Sequence, residues 1–302
     1  MSLPSPFLAT ALSHEVCIVT GASGEGICLT IARCLLEHGA VGVVICGRRE
    51  QVLRQSAASL VAECCPAQPE RVAYRVCDVR SPDACHRLVE FTVGKYGRLT
   101  TVVNGAAGNF LSTARNLSPN GFKTVMEIDV CGTFNMCHAA FKALSSAASA
   151  PGSPMSKIVN ISATLQYGAT HYQVHASAAK AAIDSMTRTL ALEWGAHGIR
   201  VNGVAPGPIA GTPGLTKLAG GALDAGALEE MVAEVIPLGR MGEKRDIGTV
   251  VVFLCCNGSG SAYVSGETIV CDGGAWLWKP AIVEADMVDA ISRTLEKKKS
   301  KL

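Results

Sequence analysis

Apolar residues follow two rhythms along this chain. Short, nearly continuous apolar runs predict buried strands at 16–20, 41–46, 71–76, 99–104, 158–162, 199–204 and 268–271. Between them, apolar positions recur at helical spacing, as in Ile27, Ile31 and Leu35, and predict helices over 27–38, 50–63, 82–96, 122–144, 174–194 and 246–256. Pro82 suits the first turn of its helix. The Gly- and Ala-rich stretch 212–238 reads as an irregular or helical excursion, and 145–154 as a surface loop. Strands that are apolar throughout, rather than alternating with polar residues, belong in a parallel sheet covered on both faces. Strands and helices that alternate in this way predict an α/β fold, a doubly wound parallel sheet with right-handed crossovers.

Composition narrows this picture. A chain of 302 residues suits one large α/β domain or two small ones. No linker-like stretch divides it, so a single domain over 1–285 with a tail over 286–302 is expected. Apolar residues at 48% against 17% charged supply ample core. The net charge of +2, with no stretch pairing basic residues and aromatics, argues against nucleic-acid binding. No apolar run is long enough for a membrane span. The 13 cysteines are scattered, and the pairs Cys64-Cys65 and Cys255-Cys256 lack the spacing of a metal site. They read as reduced core residues in a reducing compartment. Residues 1–14 have neither the basic nor the apolar region of a secretory signal. Ser300-Lys301-Leu302 is the tripeptide read by the peroxisomal import receptor, which predicts the matrix of a peroxisome or glycosome.

The candidate chemistry starts between the first strand and the first helix. Gly21, Gly24 and Gly26 there let the backbone approach a pyrophosphate, and a helix opening at Ile27 stabilises its charge. This is the expected phosphate turn of a Rossmann-type sheet. An acidic residue after the second strand would select NAD; this chain has Arg48-Arg49 instead. A guanidinium at Arg48 can grip a 2′-phosphate bidentately, which points to NADPH. Asp78-Val79, just past the third strand, is placed to meet the adenine, with the carboxylate accepting from its amino group. A plain capping role for Asp78 ahead of Pro82 is the alternative.

These residues, with the runs from Asn104 to Gly108 and from Pro206 to Ile209, resemble the short-chain dehydrogenase/reductase family across about 13–275. Within it, the stretches 106–111, 128–135, 161–165, 173–182 and 205–212 are similar to members that reduce 2,4-dienoyl-CoA thioesters in β-oxidation. The resemblance implies an NADPH/NADP site built from Gly21, Ser23, Gly24, Gly26, Ile27, Arg48, Asp78, Val79, Asn104, Ala106, Lys180, Pro206, Gly207 and Ile209. It implies an acyl-CoA substrate with Arg48, Arg80 and Lys217 near its phosphates. Asn109, Phe110, Ser118 and Asn120 would line the acyl and pantetheine path, and 212–238 would form a lid. A homotetramer is the implied assembly.

Three positions depart from the family pattern. One residue is inserted near Glu25, so Cys28 stands where the third glycine is usual, and Glu25 would repel a pyrophosphate unless it points outward. Ala176 occupies the place of the tyrosine acid, four residues before Lys180. Asp129 stands where an asparagine is usual.

Reduction of a conjugated thioester makes sense of the last two. The resemblance implies hydride addition at C5, charge spreading to the thioester oxygen, and protonation at C2 to give a 3-enoyl product. Ser162 matches the family serine. Lys180 would hold the nicotinamide ribose and supply positive charge. Asp129 either relays a proton through a water or is a structural acceptor; His175 is either a proton donor or a structural residue. Tyr167 and Tyr172, in the preceding loop, are further candidates for the absent acid. A trans-2-enoyl-CoA reductase and a catalytically inactive NADP-binding protein are the competing readings.

Overall fold

The computed structural model describes residues 5–212, 232–258 and 260–277. The strands are β1 (Val16–Thr20), β2 (Gly42–Gly47), β3 (Val72–Val76), β4 (Thr101–Asn104), β5 (Ser156–Ile161), β6 (Ile199–Pro206) and β7 (Thr268–Cys271). They form one seven-stranded sheet in the order β3-β2-β1-β4-β5-β6-β7, and every pairing is parallel. The helices are α1 (Ile27–Glu37), α2 (Glu50–Cys64), α3 (Pro82–Tyr96), α4 (Pro119–Met126), α5 (Gly132–Ala148), α6 (Val174–Trp194) and α7 (Lys244–Cys255).

Alternate residues of each strand feed opposite cores, as the pleat requires. Cys17, Val19, Val43 and Ile45 pack under α1, α2 and α7, whereas Ile18, Val44 and Cys46 pack under α3, α5 and α6. The strand order reverses between β1 and β4, which opens a crevice beyond their carboxyl ends where ligands bind in such sheets.

Local chemistry sets several boundaries. Ser81 caps α3 by accepting from the Ala84 N–H at 3.2 Å, and Gly97, with φ of 77°, ends it. The cap ahead of Pro82 is therefore Ser81, which leaves Asp78 free of that role. Ser118 caps α4, so this helix starts earlier than its apolar spacing predicts. The helix expected over 122–144 is broken by a π-helical turn at Glu127–Cys131. Such turns insert a residue and re-aim side chains, often at functional sites. The expected loop over 145–154 begins later, because α5 continues to Ala148.

A buried charged cluster closes the opposite end of the sheet. Glu15, fully buried, pairs with Lys157 at 2.5 Å and accepts from Thr100, Thr101 and Asn257.

Candidate active site

The turn after β1 is built for close approach. The Thr20 hydroxyl accepts the N–H groups of Gly105 and Ala106, at 3.0 and 3.1 Å, and binds this turn to the end of β4. Gly21 has φ of 73°, and a Cβ there would lie 2.7 Å from the Gly105 carbonyl oxygen, so only glycine fits. Gly26 opens α1 with no side-chain cap and no acidic residue in the first turn, so the helix presents free N–H groups and its positive pole. Ser23 lies against Gly47, and the Gly24 N–H donates to Ser56 at 3.1 Å. Ile27 is half-buried beside them. Glu25 is exposed, and its carbonyl is held by Lys244 at 2.8 Å. A turn of this shape, with a close-approach glycine and a helix N-terminus, fits a dinucleotide pyrophosphate.

Cys28 is buried at the base of this turn, with Sγ 3.5 Å from the Gly105 carbonyl oxygen. A Cβ on residue 105 would lie 2.2 Å from that sulfur. The larger residue at 28 is thus accommodated by glycine at 105. Burial pushes the Cys28 thiol up to about 11, against the pull of the nearby Lys180 ammonium.

Arg48 and Asp78 flank the same crevice beyond β2 and β3. Arg48 is exposed, and its charge reaches Asp78. Arg80 donates from Nε to both Asp78 carboxylate oxygens at 3.0 Å. The hydrogen bonds from Arg80 hold the Asp78 carboxyl below its ordinary value, against the opposing effect of partial burial.

The candidate reaction centre lies where the π turn meets α6. Asp129, in the π turn and 1% exposed, accepts from the Gly108 N–H at 2.7 Å and faces Lys180 Nζ at 3.1 Å. Its Oδ2 makes an ion pair but no aligned hydrogen bond, so a lone pair stays open. Lys180 also donates to the Ile161 carbonyl at 3.2 Å. Ser162 lies buried just past β5 and accepts from Gln166 at 3.3 Å. Ala176 is buried on α6 and offers no hydroxyl. His175 is fully buried and stacks on Phe110, with ring centroids 4.3 Å apart.

Residues 21–275 match the family model described as enoyl-(acyl carrier protein) reductase. A solved short-chain dehydrogenase from Bacillus anthracis superposes with a TM-score of 0.75 at 32% identity, over 89% of this chain and 100% of that one. The chain belongs to the short-chain dehydrogenase/reductase family. Two relatives are each named peroxisomal 2,4-dienoyl-CoA reductase [(3E)-enoyl-CoA-producing]. That of Arabidopsis thaliana is 46% identical over 98% of this chain and 96% of its own length. That of Danio rerio is 43% identical over 90% and 85%.

Not every expected site residue of this family member faces the crevice. Asn104 donates to Asn160 at 2.9 Å and to Cys137, so its side chain braces β4 against β5. Val79 is buried against Gly132, with its carbonyl taken by Asn135 at 2.9 Å. Ser118 caps α4, and the Asn120 carbonyl is taken by Thr124 within the same helix. Pro206 ends β6, and a Cβ on Gly207 would lie 2.3 Å from that of Asp272, so this turn also demands glycine. Ile209 is buried and bridges to Gly242. Asn109 donates to Gln173 at 2.6 Å, which ties the loop carrying Phe110 to the start of α6. Lys217, most of 212–238, and the tail over 286–302 lie outside the described residues.

Of the tyrosine candidates, Tyr167 is otherwise engaged. Tyr167 packs on Trp276 at 5.6 Å and turns its hydroxyl to Asp184; burial first, and then Asp184, push it up to about 12. Tyr172 is half exposed. Gln166 was not foreseen. It also donates to Asp184 at 2.5 Å, linking the loop after β5 to α6 and Ser162. A lone glutamine in a loop carries no periodic or motif signal.

Proposed function

We propose that this chain reduces 2,4-dienoyl-CoA to 3-enoyl-CoA with NADPH, in peroxisomal β-oxidation of unsaturated fatty acids. The pairing of buried Asp129 with Lys180, beside an alanine at position 176, carries the reading. The names of the two relatives, matched over nearly the whole chain, support it.

The turn from Gly21 to Ile27 would hold NADPH, with Arg48 toward its 2′-phosphate and Lys180 toward its ribose, and the cofactor would supply the hydride there. Ala106, Pro206, Gly207 and Ile209 shape the nicotinamide end, and the backbone around Asn104 and Val79 contributes their share. Lys180 sets positive charge beside the site where the dienolate develops. Asp129, with its open Oδ2 lone pair, orients a water that protonates C2, and the hydroxide left behind is reprotonated from bulk water. Ser162 offers its hydroxyl to the same region. Phe110 and Asn109 wall the acyl path, the cap of α4 at Ser118 and Asn120 borders it, and Arg80 and Lys217 are left to meet the CoA phosphates.

Ser300-Lys301-Leu302 is the address for the peroxisomal or glycosomal import receptor. The assembly is a homotetramer, which sedimentation would test.

Oxidation of NADPH with 2,4-hexadienoyl-CoA tests the function, with the product's double bond located by NMR. Activity on 2-enoyl-CoA alone would replace this reading with a 2-enoyl-CoA reductase. Tight NADPH binding without turnover of either would leave an inactive NADP-binding protein.

A further inference from the structure

We infer that His175 donates the hydrogen bond that holds the thioester carbonyl oxygen of the substrate, in the role left open by alanine at 176. This rests on the dienoyl-thioester reading above and refines it: His175 binds the oxygen and does not deliver the proton to C2.

Both ring nitrogens of His175 are buried and without a partner, although the residue is 0% exposed. Buried polar groups in native proteins are almost always paired, so an imidazole with two unpaired nitrogens marks the place of a ligand or an ordered water. The position is specific. His175 lies on the first turn of α6, the helix that carries Lys180, and directly precedes Ala176. Its ring lies at 24° to that of Phe110, and this stack sets the imidazole plane. Phe110 belongs to the loop whose Gly108 N–H holds Asp129 and whose Asn109 is tied to Gln173. One loop therefore joins His175 to the reaction centre.

The neighbouring donors Lys180 and Ser162 already have contacts, and the unpaired Asp129 Oδ2 and Gln166 Oε1 are acceptors. Lys180 faces Asp129 and the Ile161 carbonyl, and Ser162 accepts from Gln166. In either tautomer an imidazole carries an N–H donor. Hydride addition to a conjugated thioester places negative charge on its carbonyl oxygen, and a preoriented donor in a water-poor site stabilises that charge.

The test compares His175→Phe, which keeps the stack without a donor, with His175→Gln, which restores one. His175→Leu serves if the Phe variant does not fold by circular dichroism. Turnover of 2,4-hexadienoyl-CoA, NADPH affinity by fluorescence, and the red shift of the dienoyl absorption band on binding with NADP are measured. The shift reports polarisation of the carbonyl, which a merely structural residue would not alter. The donor-free variant should lose turnover about 100-fold or more, lose the red shift and keep its NADPH affinity. His175→Gln should recover most of both losses. Turnover within threefold of wild type in the donor-free variant, or an undiminished red shift, overturns the role alone. Failure of the wild-type chain on dienoyl-CoA overturns the functional reading and this role together.

Discussion

Arg48, Asp129 and Cys28 each have a role that a single substitution can probe. Arg48→Ala should raise the KM for NADPH and reduce the preference over NADH, by about 1–3 kcal/mol for the loss of a charge-assisted contact; steady-state kinetics with both cofactors checks this. Asp129→Asn keeps the shape of the residue that faces Lys180 but removes its charge. It should depress kcat well before NADPH affinity changes, which single-turnover and binding measurements separate. Gly105 is the counterpart of Cys28. Gly105→Ala would bring a methyl within 2.2 Å of the Cys28 sulfur and should destabilise the chain by about 1–3 kcal/mol. The double variant Cys28→Gly, Gly105→Ala should recover most of that loss in urea unfolding. The departure at Cys28 was legible in the sequence. Its compensation at Gly105 was not, because the two residues meet only through the packing of α1 on β4.

At the scale of elements, apolar rhythm carried the reading far, and the misses have local causes. Both termini of α6 and α3 followed from spacing and, at the start of α3, from Pro82. The π turn at Glu127–Cys131 was hidden, since one extra residue barely disturbs a helical pattern. Yet this turn carries Asp129 to Lys180. The C-terminus of α7 depends on a residue from β6: Arg200, buried, donates to the carbonyls of Leu254, Cys256, Ser261 and Val264. A lysine cannot reproduce that fork. Arg200→Lys should cost about 2–4 kcal/mol, through carbonyls left without donors, and hydrogen exchange should show loss of protection centred on the end of α7.

Among the described residues, the candidate active site lies at the carboxyl ends of the strands, and buried Glu15 with Lys157 lies at the opposite end of the sheet. Burial by itself would raise the Glu15 carboxyl, but the Lys157 ammonium and the hydroxyls of Thr100 and Thr101 outweigh it and hold the carboxyl below its ordinary value. A carboxyl more acidic in the folded than in the unfolded chain stabilises above the unfolded value, about 4.3, and that contribution fades as pH falls through the folded value. Urea unfolding from neutral to acid pH should therefore show stability falling below about pH 4.3. Glu15→Gln should flatten that acid limb and cost about 3–5 kcal/mol at neutral pH, by stranding the Lys157 charge.

By itself the sequence determined the α/β sheet, the glycine turn after β1, the family and the absence of a tyrosine at 176, because periodicity, glycine spacing and motif identity are local properties. Only the tertiary structure decided that Asn104 braces the sheet, that Ser81 rather than Asp78 caps α3, that Arg80 binds Asp78, that Glu25 is exposed, and that His175 is buried unpaired under Phe110. Those outcomes depend on which side chains the crossovers bring within hydrogen-bonding reach, and a one-dimensional pattern does not encode that distance.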